Sequence, residues 1–132
     1  MNFQPEQLYD IAKTVSVNAY APYSKFKVGA ALLTEDGRVY SGVNIENSSY
    51  GATICAERTA FVKAISEGEK HFTAIAVYAE GEEAIPCGIC RQFMYEFAPE
   101  LMIITGKTRE EINVRSLNEL LPVGFSLKGE DR

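Results

Sequence analysis

Hydrophobic residues near the N-terminus recur with the spacing of an α-helix. They follow Pro5, which suits the first turn of a helix, and the run stops before Pro22. The apolar positions are Leu8, Ile11, Ala12, Val15 and Ala19. Steps of three and four residues place them on one face, so the pattern predicts an amphipathic first helix.

Two runs of apolar or β-branched residues come next, over residues 28–34 and 39–43. Asp36 and Gly37 lie between them, and this pair of residue types tolerates the positive φ of a tight turn. The pattern predicts a β-hairpin.

The rest of the chain alternates between helical and strand-like patterns, with glycine or proline between them. The predicted elements are a helix over residues 55–67 that stops at Gly68, a strand over 74–79, an acidic loop over 81–85, a helix over 87–97, a strand over 101–105 and a short helix over 116–121. The polar end from Lys128 to Arg132 is predicted to fray.

Strands that alternate with helices predict a sheet covered on both faces. The expected fold class is α/β: a three-layer α/β/α sandwich with a mixed, mostly parallel sheet, in which the hairpin forms the antiparallel edge. A chain of 132 residues is expected to form a single domain over residues 1–132.

Composition and charge narrow the range of partners. The 13 Lys and Arg residues are scattered among 18 Asp and Glu residues, and the net charge is −5. Without a basic face, nucleic acid is not expected as a partner. No apolar run approaches the roughly 20 residues that span a bilayer, so no membrane partner is expected either. The N-terminus lacks the basic and then apolar pattern of a signal peptide, which favours a cytoplasmic protein with reduced thiols.

The three cysteines fall in two segments, and each segment opens a predicted helix. Cys55 begins one helix, and Cys87 and Cys90 form a C-x-x-C pair at the start of another. Structural zinc has four protein ligands, whereas catalytic zinc commonly has three and leaves one position for water or substrate. We therefore expect Cys55, Cys87 and Cys90 to bind one Zn²⁺. Two alternatives remain open: three buried thiols that fill core space, or a closed site completed by His71.

Two charged residues follow Cys55 closely. Glu57 is the candidate general acid and base, because a carboxylate beside metal-activated water can accept a proton and pass it on. Arg58 can donate hydrogen bonds to a thiolate sulfur, and together with the two helix N-termini it offsets the negative charge of three thiolates. Residues two apart do not share a helix face, so pairing Cys55 with Glu57 requires Cys55 at the half-helical first position.

Longer motifs surround the cysteines. They are Thr53-Ile54-Cys55-Ala56-Glu57-Arg58, Pro86-Cys87-Gly88-Ile89-Cys90-Arg91-Gln92, residues 21–32, residues 42–47, and Glu119-Leu120-Leu121-Pro122 followed by Phe125. With these motifs, nearly the whole chain resembles the zinc-dependent nucleoside cytidine deaminases of the short, homotetrameric type.

The resemblance implies hydrolytic deamination of free cytidine and 2′-deoxycytidine to uridine and 2′-deoxyuridine plus ammonia, as in pyrimidine salvage. It implies Cys55, Cys87 and Cys90 as ligands of one Zn²⁺ per subunit, and Glu57 as the group that protonates N3 and then the leaving amine. It also implies that the sheet has five strands.

The resemblance further implies a set of substrate contacts. Asn44 and Glu46 would hydrogen-bond the 3′-hydroxyl of the sugar, and a neutral amide beside a carboxylate suits a hydroxyl better than a phosphate. Phe26 would line the face of the pyrimidine, and backbone groups near Ala56 would bind its edge. Phe125 would reach the site of the neighbouring subunit, which implies a homotetramer whose sites are completed across subunits.

Three other functions remain as alternatives. A structural zinc domain would need a fourth ligand and would not need Glu57. A blasticidin S deaminase shares the zinc motifs, although the stretch around Phe26 and the Asn44-Ile45-Glu46 segment favour cytidine. A polynucleotide editor needs a basic channel for the flanking strand, and the sequence pI of about 4.9 argues against one.

Overall fold

The computed structural model describes residues 3–128 of the chain. Its helices are α1 (Pro5–Val15), α2 (Ala56–Ser66), α3 (Gly88–Phe97) and α4 (Leu117–Leu120). Its strands are β1 (Val28–Thr34), β2 (Val39–Val43), β3 (Phe72–Ala79), β4 (Met102–Gly106) and β5 (Ile112–Ser116). Within the described range, no helix combines the length and the apolar character needed to cross a bilayer. The predicted fraying of the C-terminal end concerns residues that, from 129 on, lie outside this range.

The five strands form one mixed sheet in the order β2-β1-β3-β4-β5. β1 pairs antiparallel with both β2 and β3, and β4 pairs antiparallel with β5. Among the described strands, only β3 and β4 form a parallel pair. The mixed five-stranded sheet is confirmed, but the prediction that it is mostly parallel is wrong.

The connection through α2 explains the difference. Strands β2 and β3 run in the same direction, yet they lie on opposite sides of β1. Strand and helix alternation produces parallel neighbours only when consecutive strands are adjacent in the sheet. The crossover through α3 meets this condition and pairs β3 with β4.

Helices cover both faces of the sheet, so the three-layer α/β/α sandwich is confirmed. On one face, α1 packs through Leu8, Tyr9 and Ala12 against the sheet. On the other face, α2 and α3 contribute Phe61 and Met94 to a second core cluster. The cysteines and Glu57 belong to this second layer, at the starts of its helices.

Two glycines allow the helices to approach the sheet closely. A Cβ at Gly29 would lie 2.0 Å from the carbonyl oxygen of Ala12 in α1. A Cβ at Gly42 would lie 2.4 Å from the amide nitrogen of Ala60 in α2. Both distances are far below van der Waals contact, so the strand backbone itself sets the position of each helix. Gly42 thereby fixes the helix that carries Glu57.

The residue pattern correctly predicts the presence of the helices and of four strands, and it misses β5. Helix α1 ends at Val15, so Ala19, which the pattern places on the helix, lies beyond it. Most residues of β5 are only half-buried, which gives the strand little hydrophobic signal at the edge of the sheet. Helices α2 and α3 each begin one residue after the predicted cysteine, at Ala56 and Gly88. The predicted stop at Gly68 is confirmed by its φ of +96°.

Candidate active site

The three cysteines converge at the starts of α2 and α3. Cys55 and Cys87 are the N-cap residues of these helices, with extended backbones at φ −75°, ψ 158° and φ −73°, ψ 173°. Cys90 lies one turn into α3 and is fully buried. The three sulfur atoms lie within 4.8 Å of one another. Tetrahedral zinc bound to thiolates places its sulfurs roughly 3.8 Å apart, so this cluster fits the ion after a small adjustment.

The N-cap position of Cys55 explains how Cys55 and Glu57 serve one site. Since the backbone of Cys55 is extended, the rule that residues two apart on a helix face different directions does not apply to this pair. Glu57 lies in the first turn of α2 and is only 5% exposed. Both residues line the same cavity.

Arg58 contacts the cysteine cluster and does not line the cavity described below. Its Nη2 donates to the sulfur of Cys55 over 3.7 Å and to the carbonyl oxygen of Thr53 over 3.4 Å. Its Nε is buried and has no hydrogen-bond partner among the described residues. A partly buried cation that donates to sulfur is suited to a cluster that carries excess negative charge, as three thiolates on one Zn²⁺ would.

The thiols of Cys55 and Cys90 have pKa values shifted in opposite directions. A hydrogen bond with Cys90 lowers the pKa of the Cys55 thiol, and Arg58 lowers it further. The same hydrogen bond raises the pKa of Cys90, and burial adds to this effect. Cys55 is therefore the thiol of this pair that ionises first, next to the guanidinium that stabilises its thiolate.

Burial also shifts the acidity of Glu57. Desolvation of the carboxylate raises its pKa to about 7, and the nearby Cys55 acts in the same direction. A carboxyl group with this pKa can both accept and release a proton near neutral pH. This acidity is what a general acid and base requires.

A cavity of about 450 Å³ opens above Cys55, Glu57 and Cys87. This volume is within the range of small-molecule sites. Its lining residues are Phe26, Val28, Asn44, Thr53, Ile54, Cys55, Ala56, Glu57, Val77, Glu82, Glu83, Ala84, Ile85 and Cys87. Three of them are carboxylates, and no Lys, Arg or His occurs among them in the part of the chain that the structure describes. Glu83 is paired with Arg115, so an anionic ligand is disfavoured mainly because the described lining offers it no cationic partner.

Asn44 holds the segment that brings Phe26 to the cavity. Its side-chain oxygen accepts a hydrogen bond from the backbone amide of Val28 over 2.9 Å, and its nitrogen donates to the carbonyl of Phe26 over 2.7 Å. Phe26 and Val28 line the cavity, as does Asn44 itself. The amide keeps one further N–H, so it can also donate to a ligand.

Glu46 and Phe125, which the sequence predicts as substrate contacts, lie outside the cavity lining. Glu46 accepts hydrogen bonds from the backbone of Tyr23 and Ser24 and from the Ser24 hydroxyl, and these bonds lower the pKa of its carboxyl group. Phe125 is 55% exposed, and its carbonyl accepts a hydrogen bond from Gln92 of α3. Neither residue lines the cavity of this single chain. Their predicted contacts with substrate remain predictions.

His71 lies in an exposed position before β3, where its carbonyl accepts a hydrogen bond from Glu35. Among the described residues, the only cluster of potential metal ligands is the one formed by the three cysteines. The sequence alternative of a closed site completed by His71 is therefore not supported.

Sequence reasoning missed one wall of the cavity, the loop over residues 82–85. Its carboxylates look like solvated surface residues in the sequence. The position of the loop in the chain could have indicated its role. It joins the end of β3 to the start of α3, and binding sites in α/β sheets lie where strands end and helices begin.

Comparison with known proteins identifies the family. The family model for the "Cytidine and deoxycytidylate deaminase zinc-binding region" matches residues 3–105. A cytidine deaminase from Sporosarcina psychrophila is 49% identical over 123 residues, which cover 92% of this chain and 90% of the relative. A cytidine deaminase from Mycobacterium tuberculosis is 42% identical over 117 residues, or 88% of this chain and 85% of the relative.

Solved structures agree with the sequence matches. The crystal structure of cytidine deaminase from Burkholderia pseudomallei superposes with a TM-score of 0.88 at 45% identity, covering 93% of this chain and all of that one. The enzyme from Mycobacterium tuberculosis gives a TM-score of 0.84 at 39% identity, covering 96% and 100%. On this evidence, the chain belongs to the zinc-binding cytidine and deoxycytidylate deaminase family.

Proposed function

We propose that the protein hydrolyses free cytidine and 2′-deoxycytidine to uridine and 2′-deoxyuridine, with release of ammonia. The observation that carries the proposal is the buried Glu57, which lies beside three convergent thiols and lines a cavity of suitable size. The relatives named as cytidine deaminases support it.

Cys55, Cys87 and Cys90 would hold one Zn²⁺ per subunit. When bound, Zn²⁺ would lower the pKa of a water and so supply the nucleophile for the substrate at neutral pH. The donor set fits this ion, because soft thiolates favour zinc. The helix N-termini at Cys55 and Cys87 and the guanidinium of Arg58 would offset the charge of the thiolates.

Glu57 would transfer the protons of the reaction. It would accept a proton from the attacking water and deliver it to N3 of the pyrimidine while C4 gains the oxygen. It would then move the proton of the new hydroxyl group to the amine, so that the C4–N bond breaks and ammonia leaves. The raised pKa of Glu57 suits both directions of transfer.

The charge of the cavity favours a nucleoside over a nucleotide. Among the described residues, its lining holds no cationic side chain to bind a phosphate, and Glu82 adds a carboxylate. An oligonucleotide faces the same obstacle at every phosphate, which disfavours the polynucleotide alternative. The family model covers both cytidine and deoxycytidylate deaminases, and the acidic cavity supports the first of these activities for this chain.

Asn44 and Phe26 would hold the sugar and the base, with backbone groups near Ala56 at the edge of the pyrimidine. Glu46 would contribute to the sugar contact after its loop adjusts, because its oxygens now hold Tyr23 and Ser24. Phe125 would enter the site of a neighbouring subunit in a homotetramer. Its exposure in the single chain and its absence from the cavity lining support this assignment.

The cellular setting is also part of the proposal. We place the protein in the cytoplasm, as a single domain over residues 1–132 that serves pyrimidine salvage. The three cysteines must stay reduced to bind a metal, which supports a reducing compartment.

An ultraviolet assay tests the proposed function. Zinc-loaded protein should reduce the absorbance of cytidine and of 2′-deoxycytidine, lose this activity with a chelator and regain it with added zinc. Cytidine 5′-monophosphate at the same concentration should react far more slowly. Turnover of the monophosphate that equals turnover of cytidine would overturn the preference for nucleosides, and no change with either nucleoside would overturn the function.

A further inference from the structure

The loop between β3 and α3 forms a wall of the cavity and leads directly to Cys87. It leaves the sheet at Ala79, turns at Gly81 with φ +84°, and returns at Glu82, which forms an isolated bridge with Ala79. Glu82 to Ile85 then line the cavity. The position of this wall depends on what holds the loop after the turn.

The side chain of Glu83 connects the loop to strands β4 and β5, at one edge of the sheet. One carboxylate oxygen, Oε2, accepts hydrogen bonds from three side chains: the Thr105 hydroxyl at 2.5 Å, the Asn113 amide at 2.9 Å and the Arg115 guanidinium at 3.2 Å. Thr105 belongs to β4, and the other two donors belong to β5. We call these four side chains the Glu83 clamp.

The clamp needs a carboxylate. Asn113 donates to Oε2 through its Nδ2, Arg115 has only N–H groups to offer, and Thr105 is completely buried. The Thr105 hydroxyl also accepts a hydrogen bond from Arg115 at 3.3 Å, so it needs Glu83 as the acceptor of its own proton. A carboxylate can accept from several donors at once, whereas the amide of glutamine would place an N–H₂ group among them.

The clamp joins the cavity to residues that do not touch it. Thr105, Asn113 and Arg115 are not among the lining residues, whereas Glu83 and its neighbours Ala84 and Ile85 are. Farther along the loop, the carbonyl of Pro86 accepts a hydrogen bond from Arg91 of α3 over 2.7 Å. The wall is thus held at Glu83 by the sheet and at Pro86 by the helix that carries Cys90.

We propose that Glu83 is a positioning residue, which acts through the clamp to hold the wall over residues 82–85 where the nucleoside binds. The inference rests on the proposed function, since it assigns this wall to the substrate. Glu57, Cys55 and Cys90 do not lie on the loop, and Cys87 follows Pro86, which Arg91 of α3 holds independently of Glu83. Loosening the wall at Glu83 therefore weakens substrate binding more than it slows the proton transfers or releases the metal.

Kinetics of Glu83→Gln test the proposal. Loss of charge-assisted hydrogen bonds at one site should raise KM for cytidine about tenfold, while kcat stays within about threefold and zinc content is unchanged. Glu80→Gln is the matched control, because it removes one carboxylate from the exposed turn of the same loop outside this cavity. Its KM should stay within about twofold of the parent value.

Arg115→Met supplies a second variant that does not alter the cavity lining. It should raise KM in the same direction by about threefold, and the double variant with Glu83→Gln should be no worse than Glu83→Gln alone. An unchanged KM in Glu83→Gln, a loss confined to kcat, or full additivity with Arg115→Met would each overturn the proposal. If Glu83→Gln does not fold, the KM of Arg115→Met decides the question by itself.

Hydrogen–deuterium exchange separates this inference from the proposed function. Amides of residues 81–85 should exchange faster in Glu83→Gln than in Glu80→Gln, whether or not the protein turns over cytidine. Equal exchange in the two variants would contradict the clamp. Absence of turnover in the parent protein would instead contradict the proposed function and leave the exchange result to decide on the clamp.

Discussion

The two halves of the cavity are built in different ways. The half that carries chemistry consists of Cys55, Glu57, Cys87 and Cys90, and these residues lie at the starts of two helices packed on the core. The half predicted to hold the sugar consists of loops, which are fastened to each other and to strand ends by side-chain hydrogen bonds. In the first half Glu57 and Cys90 are buried and all four residues are held by helices of the core, although Cys87 itself is exposed. The second half depends on a few polar contacts such as those of Asn44.

This difference predicts which function a substitution in each half of the cavity would impair. A change in the helix-borne half should remove chemistry or metal. A change in the loop half should weaken substrate binding and leave the metal in place. The predictions below would break this division if they failed.

The largest effect is expected for Cys90→Ser. Cys90 is fully buried and its sulfur belongs to the cluster, so the variant should lose zinc and turn over cytidine below detection. Metal analysis and the absorbance assay measure both. A variant that keeps stoichiometric zinc and the parent kcat would remove Cys90 from the ligand set.

Asn44→Ala, a substitution in the loop half of the cavity, should have the next largest effect. It removes two hydrogen bonds that hold Phe26 and Val28, together with the predicted contact to the sugar, so kcat/KM should fall about 100-fold. Zinc content should not change. Asn47→Ala is the control, because within residues 3–128 its side chain only accepts a hydrogen bond from the backbone of Ser49 in a local turn. Loss of zinc in Asn44→Ala would show that the halves are not independent.

Gly42→Ala and Gly29→Ala compare the two faces of the sheet. Each Cβ would collide with helix backbone, so each should lower the free energy of unfolding by about 1–3 kcal/mol. Only Gly42→Ala should also reduce kcat, about tenfold, because α2 carries Glu57. Chemical denaturation and steady-state kinetics measure the two effects.

Gly51→Ala is the control for these two variants, since its Cβ would meet nothing within 4 Å. It should leave both measurements close to those of the parent protein. An equal loss of kcat in Gly29→Ala and Gly42→Ala would contradict the division between the two helix layers.

The smallest effect is the pH dependence of the Glu83 clamp. The hydrogen bond from Thr105, with those from Asn113 and Arg115, lowers the pKa of Glu83 below its ordinary value of 4.5. A lowered folded-state pKa contributes stability above the unfolded value and loses it as the pH falls through the folded value. The difference in Tm between the parent protein and Glu83→Gln should therefore shrink below pH 4.5. A difference that is constant down to pH 3 would contradict this account.

The sequence was most informative about the metal site, because the function of cysteine as a ligand can be inferred from its residue type and spacing. The cysteine spacing predicted the ligand cluster, the resemblance to cytidine deaminases is confirmed, and the starts of α2 and α3 were predicted to within one residue. That single residue matters, because the N-cap position of Cys55 is what allows Glu57 to line the same cavity.

Other features depend on tertiary pairing that a local pattern does not contain. The antiparallel pairing of β1 with β3 follows from the crossover that passes over β1, and β5 has too few buried positions to give a clear signal. The role of the acidic loop depends on Thr105, Asn113 and Arg115, which lie 22 to 32 residues away from Glu83 in the chain.

The most direct test of the central claim is the Glu57→Gln variant, assayed with cytidine and analysed for zinc in the same preparation. Glutamine keeps the size of the side chain but cannot carry the proton. The account predicts one zinc per subunit and a kcat lower by about 10²- to 10⁴-fold. Retained zinc together with the kcat of the parent protein would contradict it.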